Sequence, residues 1–271
     1  MPRLLIAGCG YVGAATADLF RANDWQVEAW TSRDVDIADG AAVSAVASDF
    51  DVVIQSASTR GGNADDYRRV YLEGARNLIS AFPHSLLLFV SSTSVYAQAG
   101  GEWVDESSPA EPQRETARVL REAEELVLSR AGIVARLGGI YGPGRSALLR
   151  KFLAGEAVLD AGGERFINQV HRDDIAAAFL LLVRQERARH GAIFNVTDNN
   201  PRALRACYEW LATKLNRPLP PVTETAERKR GNSNKRVSSA KLLGLGWSPR
   251  YPTFEVGMSE SVLPNLERCG A

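Results

Sequence analysis

The glycine-rich stretch "IAGCGYVGAAT" at residues 6–16 limits the possible folds of this chain more than any other feature. Gly8, Gly10 and Gly13 match the pattern G-x-G-x-x-G, after an apolar run typical of a strand and before a helical pattern. In that setting the glycines permit a tight turn, close approach of a pyrophosphate, and close packing of helix on strand. A strand–helix turn without a ligand is the alternative, and we favour a dinucleotide cradle. The residues expected to line it are Gly8, Gly10, Tyr11, Val12 and Gly13.

Apolar runs alternate with helical patterns through the first half of the 271-residue chain. The runs predicted as buried strands are 4–8, 27–30, 51–57, 86–92 and 133–139. The stretches predicted as crossover helices lie near 12–22, 66–81 and 115–130. Strands that alternate with helices predict an α/β fold with a doubly wound parallel sheet.

The second half of the chain has a less regular pattern. Its predicted helices lie near 146–154, 171–185 and 201–215, with a strand at 192–198 and mostly loop from 218 to 253. We therefore expect a nucleotide-binding domain over residues 1–141 and a smaller C-terminal lobe over residues 142–271. The strand near 192–198 is expected to return to the main sheet.

Composition narrows the partners and the location. Acidic and basic residues balance at 32 each, which argues against a nucleic-acid or anionic-membrane partner, with a local charged patch as the alternative. The sequence shows neither a window of about 18 apolar residues nor a signal-peptide pattern, so we expect a cytoplasmic protein. Cys9, Cys207 and Cys269 lie far apart, which fits a reducing compartment and predicts no metal site.

The residues after the second predicted strand bear on the type of dinucleotide. An acidic residue about 20 positions beyond the loop would bind a ribose 2′-hydroxyl, but Glu28 comes too early and Asp34 slightly late. Ser32 and Arg33 suit a 2′-phosphate instead, because a guanidinium can hold a phosphate with two hydrogen bonds. We favour NADP, with NAD as the alternative if Arg33 is only a solvated loop charge.

Seven further stretches, in order along the chain, resemble the extended short-chain dehydrogenase/reductases of the NAD-dependent epimerase/dehydratase family. They are "QSASTRGG" (55–62), "VSSTSVYA" (90–97), "VDESSPAEP" (104–112), "ARLGGIYGPG" (135–144), "VHRDDIAAA" (170–178), "FNVTDN" (194–199) and "AKLLGLGWSP" (240–249). The resemblance implies a Rossmann domain that binds NAD(P) and a C-terminal lobe that closes over a substrate, often a nucleotide sugar.

Family position implies further contacts. The implied cofactor contacts are Asp36 and Ile37 at the adenine, Ala57 and Ser58 at the ribose, Ser91, and Pro143 over the nicotinamide. The implied substrate contacts are Arg145, Lys235 and Arg236. The last two belong to the basic stretch 227–241, which includes Asn232 and Asn234 and falls where the family meets a substrate phosphate. A solvated charged face remains the alternative for this stretch.

The catalytic pattern of the family is incomplete in this chain. The family uses a Ser or Thr, a Tyr, and a Lys four residues after the Tyr. The Lys lowers the pKa of the Tyr, and the Tyr then exchanges a proton with the substrate. Ser92 matches the Ser position, and Thr93 lies beside it. Thr116 and Leu120 fall at the positions of the Tyr and the Lys, and a shift of one residue restores neither. The chain therefore resembles an atypical member.

Other side chains could supply the missing proton donor. The weak candidates are Tyr71, Tyr96 and Tyr141, for each of which packing is an alternative role. Arg118 and Arg121 do not titrate near neutral pH, and we expect both to be solvated. His171 is more typical of a hydrogen-bonding group at a helix start.

These observations predict an enzyme, an NADP-dependent oxidoreductase or epimerase/dehydratase, that acts on a small anionic or nucleotide-sugar-like substrate. A sensor or regulatory protein that binds NADP(H) without turnover is the alternative, because the Tyr-x-x-x-Lys pair is absent. The resemblance also implies a homodimer through the helices near 66–81 and 115–130, by analogy only.

Overall fold

The computed structural model describes residues 1–59, 61–185, 191–224 and 233–266. Within these residues the main sheet has six parallel strands, in the order β6-β5-β4-β3-β1-β2. The strands are β1 (Arg3–Ala7), β2 (Gln26–Trp30), β3 (Val52–Gln55), β4 (Leu86–Ser92), β5 (Ile133–Leu137) and β6 (Ile193–Val196). The predicted α/β fold with a doubly wound parallel sheet is confirmed.

Helices connect these strands and form most of the remaining structure. The α-helices are α1 (Tyr11–Arg21), α2 (Gly40–Ala45), α3 (Ala64–Tyr67), α4 (Gly74–Ala81), α5 (Glu115–Leu128), α6 (Ala147–Leu153), α7 (Arg172–Arg184), α8 (Leu204–Leu215), α9 (Ala240–Leu243) and α10 (Phe254–Gly257). Segments of π-helix lie at Arg68–Glu73 and Met258–Val262, and 3-10 turns at Thr93–Val95, Ala161–Gly163 and Leu263–Asn265. In the described parts of the chain, no helix is long and apolar enough to cross a membrane.

Short strands outside the main sheet pair two by two. The pairs are Trp103–Val104 with Arg236–Val237, Gly139–Tyr141 with Gln169–His171, Leu159–Asp160 with Val222–Thr223, and Phe166–Ile167 with Arg202–Ala203. The last pair corrects one prediction: the helix expected from residue 201 begins only at Leu204, because the residues before it are paired as a strand.

The central strands are apolar along their length because a parallel strand covered on both faces has no solvent side. Leu4, Leu5 and Ile6 of β1 are fully buried. Helix α1 covers one face of the sheet with an apolar stripe that includes Val12 and Phe20. The sheet core therefore fixes where β1 ends and the glycine loop begins.

The chain divides into two compact units. The first comprises Met1–Ala97, Pro109–Leu137 and Ile175–Val196, and it contains the whole parallel sheet. The second comprises Gln98–Ser108, Gly138–Asp174 and Thr197–Ala271. The chain thus passes between the units at several points, one of them close to the boundary expected at residue 141. The strand expected near 192–198 lies in the main sheet as β6.

The second unit has an apolar core of its own. Buried side chains from α6, α8 and α10 meet there, among them Phe152, Tyr208 and Phe254. The rings of Phe152 and Tyr208 stack with their centroids 5.9 Å apart. This core also includes Tyr141, one of the predicted site residues.

Candidate cofactor and catalytic site

The strand order reverses at β1, with β2 on one side and β3 to β6 on the other. In open parallel sheets, ligands bind outside the carboxyl ends of the strands at such a point. The predicted residues at this edge are Gly8 after β1, Ser32 and Arg33 after β2, Ala57 and Ser58 after β3, and Ser92 at the end of β4. The fold therefore brings the first-unit predictions to one edge of one sheet.

The start of the glycine loop is tightly packed. Gly8 has φ +107°, and a Cβ built there would lie 2.2 Å from the backbone nitrogen of Ala57. A Cβ on Gly13 would lie 2.6 Å from the carbonyl oxygen of Gly8. The backbone amides of Gly8 and Cys9 both donate to the carbonyl of Trp30, over 3.0 and 2.7 Å. Only glycine fits at the first and third positions, and the loop is held firmly against β2 and β3.

The middle of the loop is open. Gly10 is the N-cap of α1, no side chain caps this helix, and a Cβ on Gly10 would meet nothing within 4 Å. The first N–H groups of a helix have no partner within the helix, and with the helix dipole they favour an anion. The open space beside Gly10 and the uncapped first turn at Tyr11 and Val12 fit a dinucleotide pyrophosphate.

A tight turn follows β2. Asp34 Oδ2 accepts hydrogen bonds from the amide and the hydroxyl of Thr31, each 2.7 Å long, and these bonds lower the pKa of Asp34. The side chains of Ser32 and Arg33 are exposed beside this turn. Asp34 thus holds the turn, and the hydroxyl of Ser32 and the guanidinium of Arg33 are exposed after the end of β2.

The two residues expected at the adenine have different environments. Asp36 lies at the surface, where Oδ2 accepts from Arg69 Nη1 over 2.7 Å and Oδ1 accepts from the amide of Ala38 over 3.0 Å. Ile37 is buried, and its carbonyl accepts from Asn77 Nδ2 over 3.0 Å. Of these two residues, Asp36 is exposed and Ile37 is buried.

Tyr71 lies at the carboxyl edge beside β3. Its hydroxyl is 3.4 Å from the hydroxyl oxygen of Ser58, too far for a strong hydrogen bond. The half-buried ring meets Phe89 of β4 edge-on, with centroids 6.3 Å apart, and lies 4.9 Å from the ring of Tyr67. Phe89 pairs with Gln55, the last residue of β3, so the Tyr71 ring lies beside the end of β3, three residues before Ser92 on β4.

A π-helical segment places Tyr71 there. Such segments shift the backbone hydrogen bonds by one residue and occur frequently at functional sites. The buried amide of Gln55, the last residue of β3, donates to the carbonyls of Val70 and Tyr71 over 3.0 and 3.2 Å. Gln55 therefore ties the segment to the sheet edge.

Two adjacent serines end β4. Ser91, predicted to contact the cofactor, is buried and donates to Glu124 Oε1 over 2.6 Å. Ser92 is half-buried, and its oxygen accepts from the amide of Ser94 over 3.1 Å, which leaves its hydroxyl proton for another acceptor. Thr93, also half-buried, begins the 3-10 turn against which α5 packs.

A buried polar network lies behind Ser91. Glu124 is fully buried and binds Arg136 through two hydrogen bonds of 2.9 and 2.7 Å. Arg136 also donates to the hydroxyl of Tyr96 over 2.8 Å, and that hydroxyl donates to Asn195 Oδ1 over 2.9 Å. Tyr96 thus uses its hydroxyl as donor and acceptor inside the core. The signal in the sequence was an arginine within the apolar strand "IVARL", which has to have a buried partner.

Helix α5 holds the positions where the family has Tyr and Lys. Thr116 is half-buried there, and Leu120 is buried. Arg121 binds Glu124 and Glu125 on its own helix, and Arg118 Nε donates to the carbonyl of Pro112 over 3.2 Å. The two arginines of α5 therefore have local partners.

In the second unit, Tyr141 is fully buried, and burial raises its pKa. Its hydroxyl is 3.4 Å from the carbonyl of Thr253, and a Cβ on Gly257 would collide with it. Its ring meets His171 edge-on, with centroids 5.3 Å apart. Tyr141 therefore packs as a core aromatic residue of this unit.

His171 ends a short strand and precedes α7. Its Nε2 lies 2.9 Å from Ser261 Oγ, and its Nδ1 accepts from the amide of Asp173 over 3.2 Å. Burial lowers its pKa to about 4, although Asp173 opposes this shift. The imidazole is therefore neutral near neutral pH and holds the start of the helix.

The predicted substrate residues also lie in the second unit. Arg145 is exposed on a tight turn that includes Pro143. Its backbone amide donates to the carbonyl of Gly142 over 3.0 Å, and its carbonyl accepts from the amide of Gly142 over 2.9 Å. Arg236 Nε donates to the carbonyl of Gly101 over 2.7 Å. Its guanidinium lies 4.9 Å from the ring centroid of Phe166.

Lys235 is 6% exposed, and burial lowers its pKa to about 8, with Glu102 opposing the shift. Asn234 accepts from the amide of Phe166 over 2.9 Å. Asn232, the start of the basic stretch and Cys269 lie outside the described residues.

Relatives and solved structures agree with this architecture. Protein YeeZ of Escherichia coli strain K12 is 28% identical over 93% of this chain and 97% of its own length. The dTDP-glucose 4,6-dehydratase of Bacillus anthracis, solved with NAD, has TM-score 0.82 and 19% identity over 99% of this chain and 97% of that one. RMD from Pseudomonas aeruginosa, solved with NADPH, has TM-score 0.75 and 22% identity over 95% of this chain and 96% of that one.

The family model covers the whole parallel sheet and the residues at its carboxyl edge. It matches residues 4–197, from the first strand to the end of β6. Together with the cradle at Gly10, this match confirms the family resemblance of the motifs. The chain belongs to the NAD dependent epimerase/dehydratase family.

Proposed function

We propose that this protein is an NADP-dependent oxidoreductase or epimerase/dehydratase that acts on a small anionic or nucleotide-sugar-like substrate. Membership of the family supports an NAD(P)-dependent oxidoreductase-like function. The observation that carries the proposal is the glycine loop: glycine is required by packing at Gly8 and Gly13, whereas Gly10 faces open space. A loop built only for a turn has no need of glycine at that middle position.

The preference for NADP rests on the end of β2. Asp34 is bound to Thr31, and the exposed Ser32 and Arg33 are the groups that suit a 2′-phosphate. The Bacillus anthracis dehydratase was solved with NAD and the Pseudomonas aeruginosa RMD with NADPH, so both cofactors are compatible with the fold.

Two hydroxyls at the sheet edge are suited to act on the substrate. The bound nicotinamide would supply or accept a hydride. Ser92 would donate a hydrogen bond to the reacting oxygen and orient it. Tyr71 would hold the proton that this oxygen gains or loses, because Tyr96 and Tyr141 are buried, whereas Tyr71 is half-buried beside Ser58. Thr93, next to Ser92, is the second hydroxyl available at this turn.

The test first measures the turnover of NADPH with a panel of carbonyl compounds and of NADP⁺ with a panel of nucleotide sugars. The substrate that reacts is then used to assay variants of the protein. Tyr71→Phe and Ser92→Ala should each lower kcat by about a hundredfold, since general acid catalysis contributes 10²–10⁴-fold. Tyr67→Phe is the matched control, because Tyr67 lies on the same helical stretch and packs against Tyr71. Full kcat in Tyr71→Phe would remove Tyr71 from the proposal.

A second candidate function is binding of NADP(H) without turnover. It is favoured by the half-buried Thr116 and the buried Leu120 at the Tyr and Lys positions of α5. This second function would be favoured if the protein bound NADPH tightly and none of the tested carbonyl compounds oxidised the bound cofactor.

A further inference from the structure

The loop after β2 has an unexpected charge balance for a 2′-phosphate site. Residues 31–39 contain Asp34, Asp36 and Asp39 but a single cation, Arg33. A phosphate dianion would be repelled by three carboxylates unless local groups neutralise them.

Backbone and hydroxyl donors engage two of the three carboxylates. Asp34 is bound to Thr31, and Asp39 caps α2 by accepting from the amides of Ala41 and Ala42 over 2.9 and 3.1 Å. These bonds offset the negative charge with N–H and O–H dipoles and keep both carboxylates within the loop.

The remaining carboxylate, Asp36, pairs with a cation from another element. Arg69 Nη1 lies 2.7 Å from Asp36 Oδ2, while the amide of Ala38 holds Oδ1. Arg69 belongs to the π-helical segment whose carbonyls at Val70 and Tyr71 are bound by Gln55. The guanidinium is therefore brought from the edge of β3 to the loop after β2.

Arg69 retains the capacity to bind an anion. Its side chain is 57% exposed, and its ion pair with Asp36 uses one of the five N–H donors of a guanidinium. An exposed ion pair of this kind contributes little to stability, at most about 1 kcal/mol. The ion pair with Asp36 therefore contributes little to folding, but it holds the guanidinium beside the loop that follows β2.

We propose that Arg69, held by Asp36, is a second cation of the NADP 2′-phosphate subsite with Arg33 and helps determine the preference for NADP over NAD. This inference rests on the proposed function, since it requires that the dinucleotide bind at the glycine loop. Asp36 then orients Arg69.

The adjacent arginine provides a matched control. Arg68 lies in the same π-helical segment and pairs with Glu122 of α5 over 3.0 Å, with side-chain exposures of 45% and 48%. Arg68 thus resembles Arg69 in exposure and in having one ion pair. Its partner lies on α5, whereas the partner of Arg69 lies on the loop after β2. Replacing it changes the net charge of the protein equally.

The experiment measures the Kd of NADPH and of NADH by fluorescence titration of the full chain as wild type, Arg69→Gln and Arg68→Gln. Arg69→Gln should weaken NADPH binding about tenfold, the loss expected for one charge-assisted hydrogen bond, and leave NADH binding nearly unchanged. Arg68→Gln should leave both dissociation constants nearly unchanged.

Two results would overturn the inference while keeping the proposed function. One is an equal loss of NADPH and NADH affinity in Arg69→Gln, which would mean that Arg69 only shapes the loop. The other is a Kd of NADPH for Arg69→Gln that equals the Kd for Arg68→Gln. Failure of the wild type to bind either cofactor would instead overturn the proposed function itself.

Discussion

Gly8 and Gly10 are two residues apart and are constrained by different requirements. At Gly8 a side chain would collide with the backbone after β3, and the residue has a positive φ. Folding alone therefore requires glycine at this position. At Gly10 the structure leaves open space, so packing does not require glycine there, and we attribute the requirement to the proposed ligand. The sequence predicted the motif, but it could not separate these two reasons, because both depend on neighbours distant in the chain.

The three tyrosine candidates show the same limit at the residue scale. Their sequence contexts did not distinguish them. The structure places Tyr96 in a buried network with Arg136 and Tyr141 in an aromatic core, and leaves Tyr71 half-buried near Ser58. Burial depends on tertiary packing, which no local pattern of a single sequence reports.

His171 should make stability depend on pH. Its pKa is about 4 in the folded protein against 6.5 when unperturbed, so the unfolded chain binds the additional proton between these values. The free energy of unfolding should therefore fall as pH decreases from about 6.5 to 4, by up to about 1.4 kcal/mol per pH unit. Chemical denaturation across this range measures the slope. Asp173, Arg172 and Arg250 are the charged groups that act on this imidazole.

The His171→Gln variant should lose that part of the slope, because it removes the titrating group. His84→Gln, at an exposed position, is the control and should keep the slope of the wild type. An unchanged slope in His171→Gln would contradict the assignment of a neutral buried imidazole.

At the scale of elements, the strands were predictable because buried parallel strands are short apolar runs. The predicted runs at 86–92 and 133–139 correspond to Leu86–Ser92 and Ile133–Leu137. The π-helical segment Arg68–Glu73 was not predictable, since it depends on Gln55 and its contact with two carbonyls. That segment contains both Tyr71 and Arg69, so two of the proposed site residues lie on an element that the sequence did not predict.

Glu124 of α5 binds Arg136 of β5 inside the core. Replacing it by Gln would leave the buried Arg136 without a counter-charge, which typically costs about 3–5 kcal/mol. Glu122→Gln on the same helix removes only an exposed pair with Arg68 and should cost less than about 1 kcal/mol. Urea unfolding of both variants measures the difference. Equal costs for the two would contradict the role of the buried pair.

At the scale of the whole molecule, the order of short motifs indicated the family before the structure did. The family model, which spans residues 4–197, agrees with that order. The division into two units was harder to predict, because Gln98–Ser108 belongs to the second unit and Ile175–Val196 to the first. Substrate identity does not follow from the fold, since one architecture supports many reactions.

The central claim is that the glycine loop binds NADP(H), and fluorescence titration of the wild type and Gly10→Ala with NADPH and NADH tests it most directly. We expect saturable binding of NADPH that is tighter than that of NADH. Gly10→Ala should keep the thermal stability of the wild type, since its Cβ meets no protein atom within 4 Å, and should lose most of its NADPH affinity. Tighter binding of NADH would contradict the roles given to Ser32 and Arg33, and wild-type affinity in Gly10→Ala would contradict the claim itself.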